Sequence, residues 1–185
     1  MKLKHALMGA ALAVGLGGSA FAMMGNTVMV GGAPMYPTKN IVQNAVNSKD
    51  NTTLVAAVKA AGLVPALEGK GPFTVFAPTN EAFDMLPKGT VPTLLKPANK
   101  AELKSVLLYH VVPGDFTFAT LAADIQGHGG TVKLKTLEGK DLTFKMNGPH
   151  NIEVIDAKGG VAHIITYDVV QSNGVIQVVD RVLMP

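Results

Sequence analysis

Cysteine and tryptophan are both absent from this chain of 185 residues, and aromatic residues make up only 5% of it. Without cysteine there is no disulfide framework, no thiolate nucleophile and no thiol to carry a lipid anchor, so the fold must rest on packing. Charge is sparse too, at 16% of residues. Beyond residue 22 no apolar run reaches the roughly 18 residues needed to span a bilayer as a helix. The sequence also lacks Gly-x-Ser-x-Gly, His-Glu-x-x-His and a Gly-rich loop ending in Lys-Ser/Thr, the spacings that build a nucleophile elbow, a zinc protease and a phosphate cradle. His110, His128, His150 and His163 are scattered without ligand spacing. The sequence therefore predicts no enzyme, no catalytic residue, no metal site and no cofactor.

Against these absences stands a hydrophobic content of 48%. Part of it belongs to an export signal. Lys2, Lys4 and His5 precede an apolar run over residues 6–16 that is too short to cross a membrane, and Ala20-Phe21-Ala22 has the small-x-small pattern of a cleavage site. Residues 1–22 are read as a cleaved signal peptide with Met23 as the new start, giving a secreted protein, periplasmic or extracellular. Removing Lys2 and Lys4 from the 16 basic residues leaves 14 against 13 acidic ones, a net charge of +1. That balance excludes the broad positive field of a nucleic-acid binder. Residues 23–38 are rich in Met and Gly, carry Pro34 and Pro37, and show neither helical nor strand period, so they are expected to be a flexible lead-in. Their methionines are soft copper ligands in principle, but no Cys or His accompanies them.

The rest changes period once. Ile41, Val42, Ala45 and Val46 share a helical face, and Leu54, Val55, Val58 and Ala61 keep the i, i+3, i+4, i+7 spacing of a core-facing helix, with Thr52 or Thr53 as cap and Gly62 as stop. A short strand from Phe73 to Ala77 runs into Pro78, which has no N–H for a ladder, and Thr79 caps the turn carrying Ala82 and Phe83. Asn99 with Glu102 suggests a capping box for a helix bearing Leu103, Val106 and Leu107; Tyr109 to Val112 is then expected as a strand. Phe116, Phe118 and Leu121 predict one more small helix. From Thr131 the period is two. Val132 and Leu134 alternate with Lys133 and Lys135, and Leu142, Phe144 and Met146 with Thr143 and Lys145. Two further strands flank Lys158-Gly159-Gly160, and Asn173-Gly174 is expected to turn the chain into a last strand over residues 175–183. Helices first and strands last predict an α+β fold in one domain.

Three stretches in order, TVFAPTNEAF at 74–83, LLYHVVPG at 107–114 and SNGVIQVVDRVLMP at 172–185, resemble the fasciclin domain. The resemblance covers about residues 40–184 and places a fasciclin domain over 39–185, of the single-domain, secreted, bacterial type. It implies two β-sheets in a wedge or sandwich with several helices packed alongside, and a module of adhesion. Its structural blocks fall on Thr74, Phe76, Pro78, Thr79, Asn80 and Phe83, and on Asn173, Gly174 and Asp180. In animal members an Asp-Ile pair before the Asn-Gly turn is tied to integrin binding; the matching residues are Asp168 and Val169, preceded by Tyr167 where relatives often have Pro. The Tyr-His block, also linked to attachment, falls on Tyr109 and His110. Gln177 stands where many relatives have His.

Each of these has a second reading. A Tyr-His pair among leucines and valines packs in a core and satisfies its polar atoms by buried hydrogen bonds as readily as it meets a partner. Asp168, near a turn and expected to be exposed, can support that turn or contact a partner. Lys133, Lys135 and Lys145, on one hairpin face, serve solubility or attract acidic polysaccharide or anionic lipid. Asn51-Thr52-Thr53 is formally a glycosylation acceptor. At the level of function the two readings are an adhesion module for a cell-surface or matrix protein or polysaccharide, and a secreted or periplasmic carrier of a lipid or small apolar ligand. As an adhesion module, a single domain with one site bridges two surfaces only through weak homo-oligomerisation or a second face.

Overall fold

The computed structural model describes residues 27–185. The expected signal peptide, its expected cleavage site and the methionines at 23 and 24 lie outside them. The described part of the expected lead-in is not a tail: β1 (Val28–Val30) and β2 (Ala33–Met35) form an antiparallel hairpin. Gly31 and Gly32 turn it with φ of 57° and 74°, the left-handed pair that a two-residue hairpin turn requires. Strands of three residues are too short to display an alternating pattern, yet Val30 and Met35 are both buried in the core.

A helical layer follows. It comprises α1 (Ile41–Ala45), α2 (Thr52–Ala61), α3 (Val64–Leu67), α4 (Asn80–Asp84), α5 (Thr90–Leu94) and α6 (Lys100–Tyr109), interrupted after α3 by β3 (Phe73–Pro78). Gly62 ends α2 in the left-handed conformation, as its position predicts. Three local expectations differ. The start of α2 is capped from a distance, by Asn80 Oδ1 accepting from the Thr53 N–H and the Thr52 hydroxyl at 3.0 and 3.1 Å. Asn99 makes no capping bond to α6; its amide donates instead to the Thr93 carbonyl at 2.7 Å, tying α5 to the start of α6. Tyr109 is the last residue of α6 and His110 its C-cap, so the strand β4 starts only at Val111 and runs to Pro113.

The remaining elements are α7 (Phe118–Gly127), β5 (Thr131–Lys135), β6 (Asp141–Met146), β7 (Ile152–Ile155), β8 (Val161–Gln171) and β9 (Gly174–Val179). Seven strands are ordered β4-β3-β9-β8-β7-β6-β5, with β3 parallel to β9 and every other pair antiparallel. The long β8 serves both halves: Val161 to His163 pair with β7, and Ile164 to Gln171 pair with β9 through register shifts on either side of Thr166. Those irregularities bend the sheet. In a flat sheet β3 and β6, four strands apart in this order, would lie roughly 19 Å from each other. The rings of Phe76 in β3 and Phe144 in β6 are 5.2 Å apart. The sheet is thus folded over on itself, and the Leu137 N–H between β5 and β6 donates to the Val111 carbonyl of β4 at 2.8 Å, across the closing edges.

Two cores result. Alternate residues of β3 and β9 face opposite ways: Val75, Ala77, Ile176 and Val178 meet β1, β2 and helices α1 to α6, whereas Phe76 and Val179 meet α7 and the hairpins β5 to β7. This layering is the wedge of two half-sheets with helices alongside, joined through β8.

Candidate functional site

His110 is 2% exposed and fully engaged. Its Nδ1 lies 2.8 Å from the Val106 carbonyl, and its Nε2 accepts from the Leu183 N–H at 2.9 Å. Because a backbone N–H must be accepted at Nε2, the proton sits on Nδ1 and the ring is neutral. Burial pushes its pKa down to about 4, only partly offset by the bond to Val106 and by the Asp156 charge. Tyr109, with no exposed surface, donates from its hydroxyl to the Asp141 carbonyl at 2.9 Å and accepts from the Ala157 N–H at 2.9 Å. Burial raises its pKa, with Asp156, Glu138 and Asp141 adding to the rise against the Ala157 bond. The pair therefore joins the end of α6 to the folded-over hairpins and to the C-terminal segment.

Asp168 adopts φ 55°, the one non-glycine residue with positive φ among the described residues. It is half-buried rather than exposed: Oδ1 accepts from the Phe118 N–H at 2.7 Å and from the Gln177 amide at 2.9 Å. The carboxylate thus sits at the N-terminus of α7, where the helix dipole favours an anion. Gln177, fully buried, fills the remaining positions, accepting from the Asp168 N–H at 3.0 Å and donating to the Phe116 carbonyl at 3.0 Å. Val169 is 1% exposed and points to the helical-layer core. None of Tyr109, His110 and Val169 presents surface to a partner. No hydrogen bond links the Tyr-His pair to the Asp-Val pair, although His110 and Val169 line one cavity.

The other motif residues are joints. Thr74 Oγ1 donates to the Gly114 carbonyl and accepts from the Phe116 N–H, both at 2.8 Å. Phe76 and Phe83 are core residues, the Pro78 carbonyl accepts from the Asn51 amide at 2.9 Å, and Thr79 Oγ1 caps α4 through the Ala82 N–H at 3.3 Å. Asn80, the first residue of α4, joins that helix to α2 as described and also donates to the Lys49 carbonyl at 2.8 Å. Asp180 accepts from the His163 N–H at 2.7 Å and pairs with its ring at 3.2 Å. Asn173 reaches three segments: Oδ1 accepts from the Ile41 N–H, and Nδ2 donates to the carbonyls of Leu67 and Gly69. The turn it sits in comprises Ser172 and Asn173, because Gly174 already pairs with Gln171. A Cβ on Gly174 would lie 1.9 Å from the Phe73 carbonyl oxygen, so the glycine permits the parallel approach of β3 to β9.

Sequence reasoning missed the buried amides. Asn44, in the middle of the apolar face of α1, has no exposed surface; it exchanges two hydrogen bonds with the Tyr36 backbone and donates to Gln171 Oε1, locking β2 and α1 to β8. Its place at i+3 from Ile41 was the available signal. Asn51 is 4% exposed and bonded to Ser48 and Pro78, which removes the surface position that a glycosylation acceptor needs.

Two surfaces remain. Lys133, Lys135 and Lys145 share the outer face of the β5–β6 hairpin, where Lys135 lies 3.6 Å from Asp141 and Lys145 lies 3.3 Å from Glu153. Two of the three charges are therefore locally compensated. Between α1 to α3 and the sheet lies a cavity of about 60 Å³, lined by Met35, Ile41, Leu54, Val58, Val75 and Ile176 among others. Among the described residues there is no group of three or more His, Asp or Glu arranged to hold a metal ion.

The structure thus defines an α+β domain whose buried polar side chains are committed to joining a helical layer to a folded sheet. The chain belongs to the fasciclin family: the Fasciclin domain model matches residues 49–185. It is 48% identical over 145 residues to protein sll1483 of Synechocystis, covering 78% of this chain and 73% of that one. Human periostin is 32% identical over 145 residues, and there the match covers 78% of this chain but only 16% of periostin. The domain pair of the insect cell adhesion molecule fasciclin I superposes with a TM-score of 0.70 at 18% identity, over 80% of this chain and 51% of that one. No helix among the described residues is long and apolar enough to cross a membrane.

Proposed function

We propose that this protein is an exported, non-enzymatic module that associates with a cell surface or extracellular matrix through a protein or polysaccharide partner. The observation that carries the reading is the saturation of the interior: Tyr109, His110 and Gln177 have their side-chain hydrogen-bonding atoms engaged within the chain, and Asp168 Oδ1 accepts two further bonds. Chemistry on a substrate needs groups that are free to act, whereas attachment needs only a stable surface. Membership of the fasciclin family and likeness to a cell adhesion molecule support it. With Tyr109, His110 and Val169 buried, the partner surface is sought on the outer face, and Asp168 takes part only through its half-exposed side. Attachment of knockout and complemented cells, together with light scattering on the processed protein, tests the proposal. Self-association with restored attachment supports it; a strict monomer that leaves attachment unchanged overturns it.

A second reading, a carrier of a small apolar ligand, is favoured by the cavity beneath α1 to α3. Mass spectrometry of gently purified protein tests it, since a carrier retains a reproducible ligand.

A further inference from the structure

Resting on the carrier reading, we propose that the cavity beneath α1 to α3 receives the alkyl chain of a medium-chain carboxylic acid, with Lys59 at the mouth pairing with the carboxylate. The lining decides the chemistry of the occupant. Its walls are aliphatic side chains from β1, β2, α1, α2, α3 and the inner faces of β3 and β9. Ser48, Asn51 and His110 also reach the lining, but each is already bonded: Ser48 to Asn51, Asn51 to the Pro78 carbonyl, and His110 to Val106 and Leu183. With those bonds in place they offer a ligand few free groups, so an interior hydroxyl or amide on the occupant would be poorly paired, at a cost that disfavours polar molecules. An apolar void of this kind stays dry and takes apolar guests.

The mouth differs from the interior. Val42, Ala45, Val55 and Val64 are half-buried there, and Lys59 is the one exposed, charged side chain in the lining. The ion pairs among the described residues are Lys135 with Asp141, Lys145 with Glu153, and His163 with Glu153 and Asp180, so Lys59 is left without a carboxylate. An aliphatic interior with a single cation at its rim matches an alkyl chain with a single anionic end. Length follows from size. The cavity's volume of about 60 Å³ exceeds the ~10–15 Å³ that one probe-sized occupant needs, so it takes the end of a short alkyl chain and not a whole lipid. Octanoate is the probe this size suggests, its last carbons meant for the interior and its first for the mouth.

The test is titration of the full chain with octanoate and, separately, 1-octanol, followed by calorimetry and by amide and methyl NMR shifts at Val30, Val42, Val55 and Ile176. Octanoate is expected to shift these signals and to bind more tightly than octanol. Lys59→Glu is expected to weaken octanoate about tenfold, which is ~1.4 kcal/mol, and to leave octanol unchanged. Ala45→Phe, which plugs the mouth, is expected to abolish both, with thermal unfolding as the control; if it lowers stability, Val55→Phe from the facing helix replaces it. Equal affinity for octanol and octanoate, or octanoate binding indifferent to Lys59→Glu, overturns the carboxylate site and leaves a carrier of neutral ligands standing. Silence of all four signals with both ligands overturns the site and the carrier reading together.

Discussion

A neutral histidine buried between a carbonyl and an N–H makes folding sensitive to acid. The ring of His110 titrates near 6.5 when unfolded and at about 4 when folded. Above pH 6.5 both states are neutral and its contribution is fully present; as pH falls from 6.5 to 4 the unfolded state takes up the proton first, and stability drops by about 3 kcal/mol. Denaturant unfolding across that window should show the loss. His110→Ala should be less stable at pH 7 by about 1–3 kcal/mol, because the Leu183 N–H and the Val106 carbonyl lose their partner, and its stability should vary less between pH 4 and 6.5. Asp168 separates geometry from charge in another way. Asn tolerates positive φ and keeps an acceptor for the Phe118 N–H, so Asp168→Asn should cost less than about 1 kcal/mol. Asp168→Ala loses the acceptor and suffers at φ 55°, and it should cost about 1–2 kcal/mol more. Thermal unfolding of the two variants side by side checks the order.

At the scale of elements, Asn173 makes three side-chain hydrogen bonds to other segments from a turn. It links α1, the end of α3 and the turn into β9, and Asn173→Ala should lower the unfolding free energy by about 3 kcal/mol, through three orphaned backbone groups. What was legible in the sequence was periodic. The hairpin β5–β6, the apolar faces of α2 and α6, the Gly62 stop and the Thr79 cap all follow from spacing or from one residue's local chemistry. What escaped was non-local or short. The β1–β2 hairpin has three-residue strands, and the cap on α2 comes from Asn80, 27 residues after Thr53. The burial of Asn44 depends on Gln171 from the far end of the chain. Tyr109 and His110 illustrate the middle ground. Their aliphatic neighbours announced a packed environment, but whether they faced a core or a partner depended on the folded-over hairpins, which supply Asp141 and Ala157.

On the scale of the whole molecule, closure of the sheet upon itself should be visible in amide exchange. The Leu137 N–H lies in a turn, where exchange is ordinarily fast, yet it bonds to β4; together with the Leu183 N–H it should exchange only through sub-global or global opening. Loss of residues 180–185 would expose the sites of Val182 and Leu183, both buried, and free His110 Nε2. Such a truncated chain should lose its cooperative thermal transition. The position of β9 has a further consequence. β9, the last strand among the described residues, lies between β3 and β8, in the interior of the sheet order. Until residue 179 has emerged, β3 has β4 alone as its neighbour, β8 lacks its longer partner, and neither core has its central wall. A chain made or threaded N-terminus first therefore cannot complete its fold early. The helices and the β5–β6 hairpin can form before then, but the two cores close only when β9 has joined β3 and β8.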